Sequence, residues 1–337
     1  MNRNRLYIGK RYYLRKYLRG RERFRHLLVT PSYEINTLRF WSHLLKMEST
    51  QPCSSIIFTR NPETVERIET IHLDEKLSEG KVLLHLNPDH LDSLSLDPLF
   101  HWNQSTVPWL CNFFLGEKEG GGRGRTARII LEGLLRFALD DRGSKTTLPG
   151  IYRQAGLGIK ELKDHLRFRG RPGLPALLNQ MNALPKIDQM KALRKIHHRL
   201  SLFHEDRIAR LFSSPTVYAP IYAHEPTVLI VSVSKERRES DRILRLALLS
   251  IVHQVVSLPK HRSGVPLYLH IDGLDPLPFD LMTALTEREV GLTCLAGQAA
   301  GYEGCGFHIE ISEPLSRLTR RGRGTKWFHP VLDGLSR

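Results

Sequence analysis

Residues 266–275 read Pro-Leu-Tyr-Leu-His-Ile-Asp-Gly-Leu-Asp, a short apolar run closed by turn residues. This pattern predicts a strand buried on both faces, as in a parallel sheet covered by helices. It constrains the fold more than any other feature, because strands of this kind occur almost only in α/β chains. Asp272 falls at the C-terminal tip, the end of the strand where open α/β sheets place their ligand chemistry. A helical stretch follows from Leu281 to Glu289. A second apolar run, Val290 to Ala296, then ends in Gly297-Gln298.

The remainder of the chain alternates in the same way. His26 to Pro31 predicts a strand and Ser32 to Lys46 a helix. Ser54 to Phe58 and Lys81 to Leu86 predict two more strands, the latter followed by Asn87-Pro88 and a turn-rich stretch to Pro98. Strands resume at Pro226 to Val233. Asp241 to Val256 is a helix with apolar residues at Leu244, Ala247, Leu248, Ile251 and Val255, a 3.6-residue period. Residues 127–213 differ. They are rich in Leu, Ala, Arg and Lys at helical spacing, as in Ala127 to Leu139 and Ile187 to Leu211, with capping signals at Thr147-Leu-Pro-Gly and Pro172-Gly-Leu-Pro. The expected fold class is α/β, a mostly parallel sheet flanked by helices with an all-helical inserted domain. The domains read as a basic segment 1–26, a discontinuous sheet domain 27–126 and 214–315, the helical insert 127–213, and a loose basic tail 316–337.

Charge narrows the partners. The net charge is +15, and residues 1–26 carry ten Lys or Arg against one Glu. Arg3, Arg5, Lys10, Arg11, Arg15, Lys16, Arg19, Arg21 and Arg23 are the candidate phosphate contacts, interleaved with Tyr7, Tyr12, Tyr13, Tyr17 and Phe24. Basic residues neutralise phosphates and aromatic rings can stack on bases, so DNA is the expected partner. The tyrosines could equally pack against the domain. The tail is basic again at Arg317, Arg320, Arg321, Arg323 and Lys326. Gly120 to Arg125 reads as a flexible basic loop; without Gly-Lys-Ser/Thr it is a joint rather than a phosphate cradle.

Other chemistry is excluded by spacing. Cys53, Cys111, Cys294 and Cys305 form no Cys-x-x-Cys pair, which fits a reducing cytoplasm. No carboxylate or cysteine completes a zinc set around His197-His198 and His204, and His85, His90 and His101 are loosely spaced. Glu63, Glu66 and Glu69 read as a solvated helix face. No apolar run approaches the roughly 20 residues that span a bilayer, so no transmembrane segment is expected.

Several segments occur in a fixed order: Phe203-His-Glu-Asp-Arg-Ile-Ala-Arg-Leu-Phe, Glu225-Pro-Thr-Val-Leu-Ile-Val-Ser-Val-Ser, Leu267-Tyr-Leu-His-Ile-Asp, Arg288, and Gly291-Leu-Thr-Cys-Leu-Ala-Gly-Gln298. Together they resemble the C-terminal half of the conjugative coupling ATPases, the TraG/TraD family of type IV secretion. Lys81 to Asp89 and Leu96-Asp-Pro-Leu99 are similar to the strand and turn ahead of that family's helical domain. The resemblance implies a RecA-like P-loop fold, ATP and magnesium as cofactors, and DNA translocation. It implies a magnesium acid at Asp272, a phosphate-sensing glutamine at Gln298, and an arginine at Arg288 that can serve a neighbouring subunit.

Where that family has a glycine-rich loop ending Gly-Lys-Thr, this chain has Pro31-Ser32-Tyr33-Glu34-Ile35-Asn36-Thr37. Only the lead-in strand and Thr37 match. Tyr33 and Ile35 replace glycines that let backbone N–H groups approach phosphate, and Asn36 replaces the lysine that faces the β- and γ-phosphates. Glu34 adds a repelling charge. The family's second strand-end acid is absent, since Gly273 follows Asp272; Asp275 could stand in only through a tight turn. The expectation is therefore a degenerate, non-hydrolysing relative with no cofactor, acting as a DNA-binding or scaffold subunit. Two alternatives stay open at this point. One is a working DNA translocase with an atypical phosphate loop, using ATP and magnesium in a ring completed by Arg288. The other is an adaptor that binds protein and no DNA. Expected partners are DNA and either an active ATPase paralogue or a relaxase-like secretion protein, in a homo- or hetero-oligomer. The expected place is the cytoplasm, with the membrane reached through a partner.

Overall fold

The computed structural model describes residues 6–11, 14–18, 26–31, 34–73, 80–90, 92–100, 107–116, 122–140, 147–169, 174–217, 225–257, 265–296, 305, 307–311, 316–320 and 324–328. In chain order these give β1 (Leu6–Arg11), β2 (Leu14–Leu18), β3 (Leu27–Pro31), α1 (Glu34–Ser49), β4 (Ser54–Thr59), α2 (Pro62–Leu73) and β5 (Val82–Leu86). Then follow α3 (Val107–Leu115), α4 (Gly122–Asp140), α5 (Leu148–Ala155), α6 (Ile159–Arg169), α7 (Leu174–Asn182), α8 (Lys186–Arg199), a 3-10 turn (Ser201–His204) and α9 (Asp206–Leu211). The chain closes with β6 (Thr227–Ser232), α10 (Ser240–Ser257), β7 (Leu267–Asp272), α11 (Phe279–Glu287), β8 (Gly291–Leu295), β9 (Phe307–Ile311), β10 (Ser316–Arg320) and β11 (Gly324–Phe328).

Two units emerge, one formed by Met1–Leu94 with Tyr218–Arg337 and the other by Ser95–Val217. The first is built on a sheet ordered β11-β10-β9-β3-β8-β7-β4-β6-β5. Every pairing from β9 to β5 is parallel, whereas β10 pairs antiparallel with both β9 and β11. The apolar runs explain the placement. β4, β6 and β8 are buried at every residue, as central parallel strands must be when helices cover both faces. On one face α1 and α2 bring Trp41, Leu44, Ile68 and Ile71 onto Leu27, Val29, Ile57, Ile230 and Leu295. The alternate residues Ile56 and Phe58 are equally buried, and α10 packs on β4 and β6 while α11 packs on β8. The mostly parallel α/β sheet flanked by helices is thus as the sequence predicts.

Every element described in the second unit is a helix or 3-10 turn. Its centre is α4, which packs against α3, α7 and α8. Its ends meet: Val217 N–H donates to Ser95 O (2.8 Å), and the Thr216 hydroxyl both donates to Ser95 O (2.8 Å) and accepts from Ser95 N–H (2.6 Å).

Three expectations need correction. The supposed flexible loop at Gly120 to Arg125 is helical from Gly122 onward, where it forms the first turn of α4. The helical spacing read from Ile187 to Leu211 is carried by three pieces, α8, the 3-10 turn and α9, not by one continuous helix. Leu200, Leu202 and Phe203 are all buried, although at about 100° per residue an unbroken helix would spread them over about 160° of its circumference. The tail is not loose at its described residues, where β10 pairs antiparallel with β11 and Thr, Trp and Phe favour extended backbone. Among the described residues no helix is long and apolar enough to cross a membrane.

Candidate functional site

The C-terminal edge of the parallel sheet collects the residues singled out by the sequence. β7 ends at Asp272, between β4 and β8. The alternation that buries His270 on the α1 face puts Asp272 on that face too. Thr59, the last residue of β4, donates its hydroxyl to Asp272 Oδ2 at 2.8 Å. The same hydroxyl accepts Asn61 N–H at 3.0 Å, and Asn61 Oδ1 accepts Glu63 N–H at 3.0 Å, which starts α2. Burial pushes the Asp272 carboxyl pKa up; the Thr59 hydrogen bond, the Trp41 indole, the Arg60 charge and the Thr64 hydroxyl act against it.

Arg60 closes the edge beside the acid. Its Nη2 donates to Gly273 O at 2.9 Å, and its Nη1 pairs with Asp241. Gly273 has φ of +67° and donates its N–H to Leu295 O at 2.9 Å. That backbone suits glycine and turns the chain sharply away from the strand. Asp275 does not reach back to Asp272. It accepts from Arg245 Nη1 at 2.6 Å instead.

β3 runs on the far side of β8, with Val29 opposite Leu295, so Pro31 reaches the same edge as Asp272. Helix α1 starts at Glu34, and only two positions, Ser32 and Tyr33, separate strand from helix. Both lie outside the described residues, while Glu34, Ile35, Asn36 and Thr37 belong to the start of α1. Gln298 also lies outside the described residues. Arg288 is the C-cap of α11, three residues ahead of β8, and therefore sits at the opposite edge of the sheet from Asp272.

Of the basic residues, Lys10, Arg11, Arg15 and Lys16 fall on the β1–β2 hairpin, with Lys10 opposite Arg15 and Gly9 opposite Lys16. Arg3, Arg5, Arg19, Arg21 and Arg23 lie outside the described residues.

Beneath the edge lies a polar cluster that sequence reasoning missed. Glu48 Oε2 accepts from Ser55 Oγ (2.6 Å) and stands 2.8 Å from His270 Nε2, and both members of that pair are buried. Lys81 Nζ donates to Glu48 O at 2.6 Å. The His270 ring meets Trp41 edge-on, with centroids 5.5 Å apart. The available signal was a lone acid in an apolar stripe, since Trp41, Leu44, Leu45 and Glu48 follow a helical period. At the other sheet edge His85 stacks on His90 at 4.9 Å and stands 3.7 Å from Glu69 Oε1. All four cysteines are buried thiols, and burial pushes that of Cys111 up to about 12.

No protein-family model matches the chain, and no curated protein matches it. Solved structures do resemble it. The bacterial conjugative coupling protein TrwB lacking 70 N-terminal residues, in a trigonal form with sulphate, superposes with a TM-score of 0.64 at 12% identity. That match covers 91% of this chain and 79% of TrwB. Its unbound monoclinic form gives 0.62 at 12% identity over 96% and 81% of the two chains. TrwB in complex with ADP and Mg2+ gives 0.62 at 13% identity over 93% and 79%. The fold is that of the conjugative coupling proteins, as the order of the motifs implied.

Proposed function

We propose that this chain is a non-hydrolysing relative of the conjugative DNA coupling proteins, serving as a DNA-binding or scaffold subunit in a DNA-transfer system. The observation that carries the reading is the connection between β3 and α1. A phosphate-binding loop of the Gly-x-x-x-x-Gly-Lys-Ser/Thr type needs four spacer residues between its glycines to arch around the phosphates. Here two positions join strand to helix, and neither is glycine. The neighbouring groups point the same way. Asp272 is hydrogen-bonded to Thr59, Asp275 is turned to Arg245 instead of joining it, and the Arg60 guanidinium holds the adjoining Gly273 carbonyl. A magnesium-bound triphosphate needs a cradle, a lysine and open carboxylate oxygens. The residues present do not fit that group, so no hydrolytic step is derived for them.

DNA binding is assigned to the basic N-terminal residues, where positive charge exceeds negative by nine over residues 1–26. An active ATPase paralogue or a relaxase-like protein would then supply motor or substrate, and membrane contact would come through that partner. Buried thiols fit a reducing cytoplasmic setting.

Calorimetric titration of the full chain with ATP and magnesium tests the reading, alongside ATPase assays with and without single-stranded DNA. The expected result is no micromolar nucleotide affinity and no turnover, with DNA binding that weakens steeply as salt rises. Micromolar magnesium-dependent ATP binding, or turnover abolished by Asp272→Ala, would overturn it.

A further inference from the structure

A buried lysine and a buried cysteine are held against one carbonyl at the N-terminal edge of the sheet. Cys53 stands one residue before β4 and Lys81 one residue before β5, the strands on either side of β6. Cys53 is fully buried and Lys81 is 9% exposed. Lys81 Nζ donates to Glu48 O at 2.6 Å, and Cys53 Sγ donates to the same oxygen at 3.5 Å. Lys81 Nζ also stands 3.5 Å from Cys53 Sγ. The three atoms form a closed triangle, so nitrogen and sulfur are in direct contact and their shared acceptor keeps them there.

Part of this arrangement is structural. Glu48 lies in the last turn of α1, where carbonyls have no partner within the helix, and lysine side chains commonly satisfy them. That role needs the ammonium alone and gives the thiol nothing to do. The carbonyl is also oversubscribed. It accepts Gln51 N–H at 3.0 Å as well, whereas a carbonyl oxygen has two lone pairs. The thiol is the weakest of the three donors, so its hydrogen is the least firmly held. Pro52 and Gly80, the residues just ahead of Cys53 and Lys81, are both exposed. The pair therefore lies just beneath the surface, within reach of a molecule as small as hydrogen peroxide.

We propose that Cys53 and Lys81 form a peroxide-responsive covalent site, in which one oxygen atom comes to bridge Sγ and Nζ. One peroxide converts the Cys53 thiol to a sulfenic acid and releases water. Lys81, after losing its extra proton to water, is converted by a second peroxide to a hydroxylamine, again with release of water. The two products condense: the oxygen on nitrogen bonds to sulfur, the S–OH bond breaks, and a third water leaves. Thiol, amine and two peroxides thus give the bridge and three waters. Sulfur and nitrogen each lose two electrons, and each peroxide gains two. Four equivalents of a thiol reductant return the thiol and the amine, yielding two disulfides and one water. A sulfenic acid ordinarily condenses with a second thiol, but here it forms against an amine. The bridge would tie the start of β4 to the start of β5 across a sequence separation of 28.

Treating the folded full chain with a small excess of hydrogen peroxide, followed by mass spectrometry of the intact chain and of its tryptic peptides, tests this. The expected product gains one oxygen and loses two hydrogens. The peptides holding Cys53 and Lys81 should then run as one cross-linked species, uncut after Lys81, and dithiothreitol should restore both. The thermal midpoint of the oxidised chain should rise by roughly 5–10 °C, because a cross-link of this span restricts the unfolded chain. Cys53→Ser and Lys81→Arg should each abolish the cross-link and the thermal shift. Arginine keeps a cation for Glu48 O, so Lys81→Arg separates the amine chemistry from the helix cap. If that variant fails to fold, the Cys53→Ser chain and the peptide map of the unmodified chain still decide. Oxygen found on Cys53 alone, as sulfenic, sulfinic or sulfonic acid, overturns the proposal. So does a disulfide from Cys53 to another cysteine, which loses two hydrogens and gains no oxygen. A Cys53 left unreacted under these conditions overturns it equally.

Discussion

Asp97 and Asp272 show how burial of a single carboxyl sets a pH dependence. In both, burial is the largest influence and raises the pKa; for Asp97 it reaches about 6 from 3.8, against a hydrogen bond from Leu99 N–H (2.9 Å). A raised native pKa means that the folded chain binds the proton more tightly than the unfolded chain. The penalty is therefore fully present above the native pKa and is relieved as pH falls towards the unfolded value. For Asp97 the window runs from about pH 6 down to about 4. We predict that Asp97→Asn, which keeps an oxygen for Leu99 N–H, stabilises the protein at pH 7 by up to about 3 kcal/mol. The gain should fade by pH 4, read by denaturant unfolding across that range. An unchanged gain at pH 4 would assign it to packing rather than charge. Asp272 lies in the same direction, so its cost is an argument about what keeps it. Its Thr59 bond and the Arg60 charge act against that cost of burial. The place of Asp272 at a strand tip was legible because the apolar run stops there. Arg60 and Thr59 were not, since the order of parallel strands is a tertiary property and β4 meets β7 across more than 200 residues.

At the level of elements, periodicity identified strands and helices well and their joints poorly. β4, β6, β7 and β8 are continuous apolar runs with turn residues at both ends, and nothing else in the chain competes for them. The break between α8 and α9 was hidden because Leu200, Leu202 and Phe203 extend an apparently apolar stripe. The start of α4 was hidden because glycines and arginines read as a loop, whereas packing against α3 overrides that weak preference. Glycine within α4 does have a packing reason. A Cβ on Gly133 would stand 2.3 Å from Leu177 Cδ1, so the missing side chain is what lets α4 and α7 approach closely. Alanine is the better helix former by about 1 kcal/mol, yet overpacking at a buried contact costs about 1–3 kcal/mol. We predict that Gly133→Ala is destabilising on balance and that Leu177→Ala in the same chain recovers part of the loss. A cycle of the two single variants and the double variant by thermal unfolding measures the coupling. Additive effects would mean that the two helices do not meet at this point.

For the whole molecule, the first and last residues of the helical unit are tied to each other in one pinch. Ser95 and Thr216 are hydrogen-bonded through both backbone and hydroxyl groups, and Val217 N–H closes the same turn onto Ser95 O. The unit has a buried centre of its own: Leu110, Ile130, Leu131, Leu134, Leu148, Ile151, Leu166, Ile196 and Phe212 are each fully buried. A segment of that size with an independent core and adjoining ends has the features of a domain that folds alone. Composition pointed to a helical insert, but its ends are set by contacts such as Leu96 N–H to Leu211 O (2.7 Å), which leave no mark in local sequence. We predict that residues 95–217, produced by themselves, give a helical circular-dichroism spectrum and a single cooperative thermal transition. Leu96→Ala should lower that transition, because Leu96 is fully buried and a Leu-to-Ala change in a core costs about 2–5 kcal/mol. A broad, non-cooperative melt of the isolated segment would mean that its core depends on the sheet unit. The pinch at Ser95 and Thr216 would then be a consequence of folding around the sheet rather than the closure of a separate domain.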